Sequence, residues 1–187
     1  MFEQLVKFCS FFIWITSNIH SNPSSYVALN IYLSLCYYKL DFYDISLEVL
    51  NAYLQKFPGS QTALNLKACN QYKLYNGKDA LQILQPLIET GEVDNPLLQH
   101  NTVVFKGGEN ALQVLPPLVE MISEARLNIV IHHLKNGDFM EAYNLISDLE
   151  PTHTTEFILK AVVNVCVGQQ NDSREALKLA QQYFQLI

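Results

Sequence analysis

The stretch "VALNIYLSLCYYKLDFYDISLEVLNAYLQKFP", residues 27–58, decides how the rest of the chain is read. Two apolar runs with helical spacing flank a short break around Asp41. In the second run the small residue Ser46 is followed by Leu50 four residues on and by Tyr53 three further on. A helix returns to the same face every three or four residues, so these positions form one stripe. A small residue in that stripe lets a second helix come close. The stretch predicts helix, short turn, helix, ended by Pro58.

The unit recurs. Small residues follow an acidic one by one or two positions at Ser46, Ala80, Ala111, Ala142 and Ala176, in steps of 34, 31, 31 and 34. Four residues after each comes Leu50, Leu84, Leu115, Ile146 or Ala180, and three further on Tyr53, Leu87, Leu118, Leu149 or Tyr183. Each is preceded by another apolar helical run, such as "SQTALNLKACNQYKLY" at 60–75 and "TEFILKAVVNVCVG" at 155–168. Self-similarity at such a period marks a repeat array. The expected fold is all-α, a right-handed helix-turn-helix solenoid of about five helix pairs. Glycines 59, 77, 91, 107, 108, 137 and 168 are all expected between helices. Asp44, Ser60, Asn95, Ser123 and Ser173 are expected as N-cap or first-turn residues. Pro86 and Pro117 each lie six residues after the small residue of their repeat. Interior proline removes a backbone hydrogen bond, so the second helices of pairs two and three are expected to bend or end early.

With 187 residues the chain is long enough for one domain with a real core. It carries 12 basic against 18 acidic residues, a net charge of -6. That balance argues against nucleic acid as the main partner and against an anionic membrane surface. Few charges and many aromatics point to an apolar surface covered by something else. Cys9, Cys36, Cys69 and Cys166 are scattered with no Cys-x-x-Cys pair, which reads as reduced thiols rather than a metal site. The segment "LVKFCSFFIWI", 5–15, is interrupted by Lys7 and is short for a membrane span. The start Met1-Phe2-Glu3 lacks the basic residues of a secretory leader. Residues 1–22 read either as an amphipathic helix completing the first packing layer or as a misplaced gene start.

The segment "VVFKGGENALQVLPPL", 103–118, raises the question of a phosphate cradle. The GxxxxGK[ST] pattern is absent, and the only Gly-Lys, Gly77-Lys78, is followed by Asp79. Lys106-Gly107-Gly108 therefore reads as a turn. Adjacent His132 and His133 point to different sides of a helix and do not suit a shared metal. Glu109, Glu141 and Glu175 recur near second-helix starts, where they complement the helix dipole. No nucleophile sits in a recognisable motif. Neither an enzyme, a cofactor nor a small-molecule substrate is expected.

In residues 27–58, Leu33, Tyr37, Tyr43, Ser46, Leu50 and Pro58 sit at the packing slots of the tetratricopeptide repeat, which the chain resembles. Longer strings are more specific. "LCYYKLDFYDISLEVL" (35–50), "FKGGENALQVLPPL" (105–118) and "LISDLEPTHTTEFILKAVVNVCVGQ" (145–169) resemble the tetratricopeptide-repeat subunit of intraflagellar transport complex B, the DYF-13-like family. The resemblance runs from about Tyr26 to Ile187. It implies a non-enzymatic scaffold for cilium assembly and for motility-related cargo. It also implies partners among the other complex B subunits and ciliary cargo proteins. The implied location is the cilium or flagellum, its base at the basal body, and the cytoplasm. Residues 1–22 depart from the family, and residues 23–187 read as part of a longer array. Such a piece is expected to expose apolar surface at both ends and to self-associate.

The alternative is a tetratricopeptide-repeat adaptor for a chaperone or a vesicle-coat complex. A chaperone adaptor needs a basic clamp on its inward slots. Here those slots are Ile31, Leu35, Asn65, Cys69, His100, Leu127 and Ile131, mostly apolar, which favours a helical or extended apolar partner. Among them and their neighbours, Asn65, Tyr72 and His100 are the expected partner contacts. The repeat register itself is open to test. Ala111→Phe should force its helix pair apart and cost about 1–3 kcal/mol in thermal unfolding, and unchanged stability would refute the register.

Overall fold

The computed structural model describes residues 29–89 and 95–187, together with Trp14 and Ser17. The expectations for residues 1–22 apart from Trp14 and Ser17, and for Gly91, lie outside the described residues. The chain divides into two compact units, one ending at Asp94 and one starting at Asn95.

The first unit holds α1 (Leu29–Lys39), α2 (Tyr43–Lys56), α3 (Gln61–Lys73) and α4 (Gly77–Glu89). Helices α1 and α2 pack as one pair and α3 and α4 as the next, while α2 lies on α3 and α1 beside α3. The second unit holds α5 (Pro96–Phe105), α6 (Ala111–Val114), a 3-10 turn at Pro116–Leu118, α7 (Ser123–Asn136), α8 (Phe139–Ile146), α9 (Thr154–Gln170) and α10 (Arg174–Gln185). Its pairs are α5 with α6, α7 with α8 and α9 with α10; α8 lies on α9 and α7 beside α9. Every regular element among the described residues is helical, as the repeat pattern requires. None of those helices is long and apolar enough to cross a membrane.

The repeat register appears directly in the packing. Ser46, Ala80, Ala111 and Ala142 are buried, and so are Leu50, Leu84, Leu115, Ile146 and Ala180. Ala176 is the exception and stays partly exposed. Four of the five pairs also have a second buried slot twelve residues earlier in the first helix, at Ser34, Ala68, Val130 and Asn164; in the third pair that position is the half-buried Gln99. In the first pair the two slots touch, and Ser46 Oγ donates to the Ser34 carbonyl at 2.8 Å. Around this seam the first unit packs Leu50, Ala63 and Leu66 against Ile31, Tyr38, Tyr53 and Leu54. The second unit packs Val130, Ala142, Ile146, Leu159 and Val163.

The caps explain where helices begin. Ser60 and Ser173 accept from the backbone of Ala63 and Ala176, both at 3.4 Å. Asn95 Oδ1 accepts from Leu97 at 3.0 Å, with Pro96 in the first turn where its missing N–H costs nothing. Asp44 and Ser123 lie in first turns. Glu156 accepts from the backbone of Thr152 and His153 and closes the start of α9. Tight reversals between paired helices use a left-handed residue: Asp41, Tyr75, Gly137 and Asp172 all have positive φ. Glycine accepts that conformation freely, whereas the others carry a cost.

Two expectations need correction. Pro117 behaves as expected: α6 stops after four residues and the chain continues as a 3-10 turn. Of the two outcomes expected at Pro86, a bend or an early end, the early end does not occur: α4 runs through it to Glu89. Gln82, four residues before, is exposed, so water can take the carbonyl that the missing N–H leaves. Gly168 lies inside α9 rather than in a turn. The reason is contact: an added Cβ would sit 2.8 Å from Leu177 Cγ and 3.2 Å from the Ser173 carbonyl oxygen.

Helix α8 is short, and neighbouring cations hold its C-terminal end. Arg126 of α7 donates through Nε to the Leu145 carbonyl at 2.7 Å and pairs with Asp148. Buried Lys160 of α9 donates to the carbonyls of Ser147, at 3.0 Å, and Leu149. Its ammonium also lies 5.5 Å from the centre of the Tyr183 ring. These carbonyls lack intrahelical partners, so the two cations satisfy groups that burial would otherwise penalise.

Gly168→Ala should lower the melting temperature, with a loss of about 1–3 kcal/mol, because both a side chain and a backbone oxygen must move. Differential scanning calorimetry checks it; an unchanged melting temperature would mean that α10 is not held against α9 as described.

Candidate functional site

The residues expected to meet a partner fall on first helices. In α3, Asn65, Cys69 and Tyr72 are spaced by four and three, so they share one face. Asn65 and Cys69 are half-buried, and Tyr72 is 38% exposed. Neighbouring α1 contributes Ile31, Leu35 and Tyr38, with Leu35 exposed and the other two half-buried. The two helices meet closely enough that Cys69 acts electrostatically on the Tyr38 hydroxyl.

Tyr38 and Cys69 on this face are shielded from water. Burial pushes the Tyr38 phenol up to about 12, helped by Cys69, Tyr43 and Asp41. Burial also pushes the Cys69 thiol up to about 11, with Lys73 pulling weakly the other way. Tyr38 and Tyr43 meet edge-on with ring centres 5.7 Å apart, and the Tyr43 hydroxyl donates to Asp41. At the C-terminal end of α3 the surface opens into a depression of about 400 Å³ lined by Tyr72, Lys73, Tyr75 and Gly77.

His100 belongs to the second unit and is placed differently. It is buried in α5, 6% exposed. Asn128 Nδ2 of α7 lies 2.9 Å from its Nε2, and Asn101 Oδ1 lies 3.1 Å from its Nδ1. A neutral ring with its hydrogen on Nδ1 satisfies both contacts. Leu127 is half-buried and Ile131 exposed on the same helix as Asn128. So Asn65 and Tyr72 share a face, while His100 ties one first helix to the next.

The glycine turn has its donors engaged. Gly107 N–H donates to Val104 and Gly108 N–H to Val103, each at 3.0 Å, closing the end of α5. Those amides do not point outward toward an anion. His132 contacts Asn136 and His133 contacts Asp138, so the adjacent rings have separate partners. Among the described residues no three His, Cys, Asp or Glu come together as metal ligands.

The family of intraflagellar transport protein 56 matches residues 13–187. The chain belongs to that family. A relative from Caenorhabditis elegans, "Intraflagellar transport protein 56 homolog", is 32% identical over 198 residues, covering 92% of this chain. The chain spans 33% of that relative's length. Among solved structures, a tetratricopeptide repeat protein from Parabacteroides merdae aligns with a TM-score of 0.66 at 16% identity. That alignment covers 96% of this chain and 80% of the other, and it shows a shared repeat fold.

Sequence reasoning missed Tyr75, which is 99% exposed with φ +62 at the edge of the depression. The available signal was the string Leu74-Tyr75-Asn76-Gly77, a turn in which an aromatic residue has no packing role.

The raised thiol and phenol give a pH dependence with a definite sign. Their protonated forms are favoured in the folded state, so their stabilisation is complete below the unfolded values and lost as pH rises. Stability should be flat up to about pH 9, fall toward 11 as Cys69 titrates, and fall further toward 12 with Tyr38. Urea unfolding across pH 8 to 12 measures this, and Cys69→Val should remove the first part of the decline.

Proposed function

We propose that the chain is part of a non-enzymatic scaffold subunit of intraflagellar transport complex B, of the DYF-13-like kind, supporting cilium assembly and carriage of motility-related cargo. Membership of the intraflagellar transport protein 56 family over 13–187 carries this reading. Repeat arrays work by presenting extended surfaces, and nothing in the chemistry of the described site calls for a substrate. The working partners are other complex B subunits and ciliary cargo proteins, rather than nucleic acid or a small molecule. The place of action is the cilium or flagellum and its basal body, with a cytoplasmic pool. We read residues 23–187 as one stretch of a longer repeat array.

In this reading the first-helix face of the first unit meets a partner directly. Tyr72 supplies a rigid aromatic anchor and Asn65 a polar contact beside it. His100 contributes from within the second unit by holding Asn128 and the neighbouring helix face in place. Apolar, exposed Leu35 on the same first-unit face suits a helical or extended apolar segment.

The test is affinity purification of the tagged chain from ciliated cells, read by mass spectrometry. Recovery of several complex B subunits is expected. Tyr72→Ala should weaken that recovery by a binding loss of about 1–2 kcal/mol while leaving the helical circular dichroism unchanged. Recovery of chaperones or coat proteins in place of complex B subunits would overturn the assignment.

A further inference from the structure

The chain contains two Asn-Gly dipeptides, Asn76-Gly77 and Asn136-Gly137. We infer that Asn76 is a site of spontaneous deamidation in the folded protein and that Asn136 is protected. In this reaction the backbone nitrogen of the following residue attacks the side-chain Cγ. The Cγ–Nδ2 bond breaks, and ammonia leaves with the proton displaced from the backbone nitrogen. Water then opens the five-membered imide, giving aspartate or its β-linked isomer. Glycine in the following position matters because it has no Cβ to obstruct the approach.

The two sites differ in whether the attacking nitrogen is available. Gly137 N–H donates to the Leu134 carbonyl at 3.3 Å, at the closing turn of α7. Asn136 ends that helix, and its Nδ2 lies 3.0 Å from His132 Nε2. Gly77, by contrast, is the first residue of α4, where a helix offers its N–H no acceptor. It also lines the open depression of about 400 Å³ with Tyr72, Lys73 and Tyr75, while exposure does not separate the sites, since Asn136 and Gly137 are themselves exposed. The leaving nitrogen of Asn76 donates to Asp79 Oδ2 at 2.6 Å, a bond that must open before ammonia can depart. Both asparagine side chains are held, Asn76 also by accepting from the Asp79 N–H at 3.4 Å, so the state of the attacking nitrogen is what separates the two sites. Tyr75 just before it has a left-handed backbone that already carries strain.

The product would be a one-way mark on the second helix pair. Aspartate at 76 faces the Asp79 carboxylate across the distance now spanned by a hydrogen bond, and the two charges repel. The β-linked isomer also inserts a methylene into the main chain where α4 starts. Either product loosens the turn that presents Tyr72 and Tyr75.

The experiment incubates the native chain at neutral pH and 37 °C and follows both peptides by mass spectrometry, which reads a gain of about 1 Da per event. A parallel sample in urea gives each dipeptide's rate without structure. Asn76 is expected to react at least several-fold faster than Asn136 in the folded chain, with similar rates in urea. Gly77→Ala should slow the reaction at Asn76 by roughly tenfold or more. Its helix propensity is better than that of glycine, so α4 should persist. Faster reaction at Asn136, or an unmodified Asn76 in the folded chain over a period in which urea-unfolded chain reacts, would overturn the inference.

Discussion

The close approach of two helices at a small residue is the constraint from which the rest follows. Ser46 and Ser34 meet so tightly that a side-chain oxygen on one helix bonds the backbone of the other. At that separation there is no room for a larger group, and the apolar residues at four and seven positions onward are drawn into the seam. The same geometry dictates the connections. Antiparallel helices held this near must reverse within a few residues, and the chain achieves it with a left-handed residue at Asp41, Tyr75 and Gly137.

The third pair shows what happens when the seam is interrupted. Pro116 and Pro117 leave α6 only four residues, and the 3-10 turn carries Leu118 into the core in place of a second helical turn. The longer reversal through Gly107, Gly108 and Asn110 accommodates that shorter element, and all three have positive φ. Packing of Val103, Ala111, Leu115 and Leu118 nevertheless remains continuous with Ala125 and Ile129 of the next helix. Apolar burial tolerates the altered backbone because the same side chains still reach the same layer.

Much of this was legible from spacing. The slots at Ser46, Ala80, Ala111 and Ala142 could be placed because period and small size coincide at each. Residues whose role depends on a distant neighbour were not legible. Gly168 looked like punctuation, and only the proximity of Leu177 explains it. His100 lay at an inward slot by spacing, yet its ring is engaged by Asn128, which belongs to another helix. Pro86 carried the same local signal as Pro117, but α4 has an exposed side that absorbs the lost bond. For the partner face, Asn65 and Tyr72 could be placed on one helix side from sequence alone. The strained Tyr75 and the depression beside it arise from turn geometry, which periodicity does not encode.

The eight residues of α8 are too few to persist as an isolated helix in water. Its end is fastened from both sides, by Arg126 of the preceding helix and Lys160 of the following one. Such an element cannot fray independently, because releasing it strands one cation of each neighbour. The last two helix pairs are therefore coupled into a single cooperative folding block, which opens and closes as one rather than repeat by repeat.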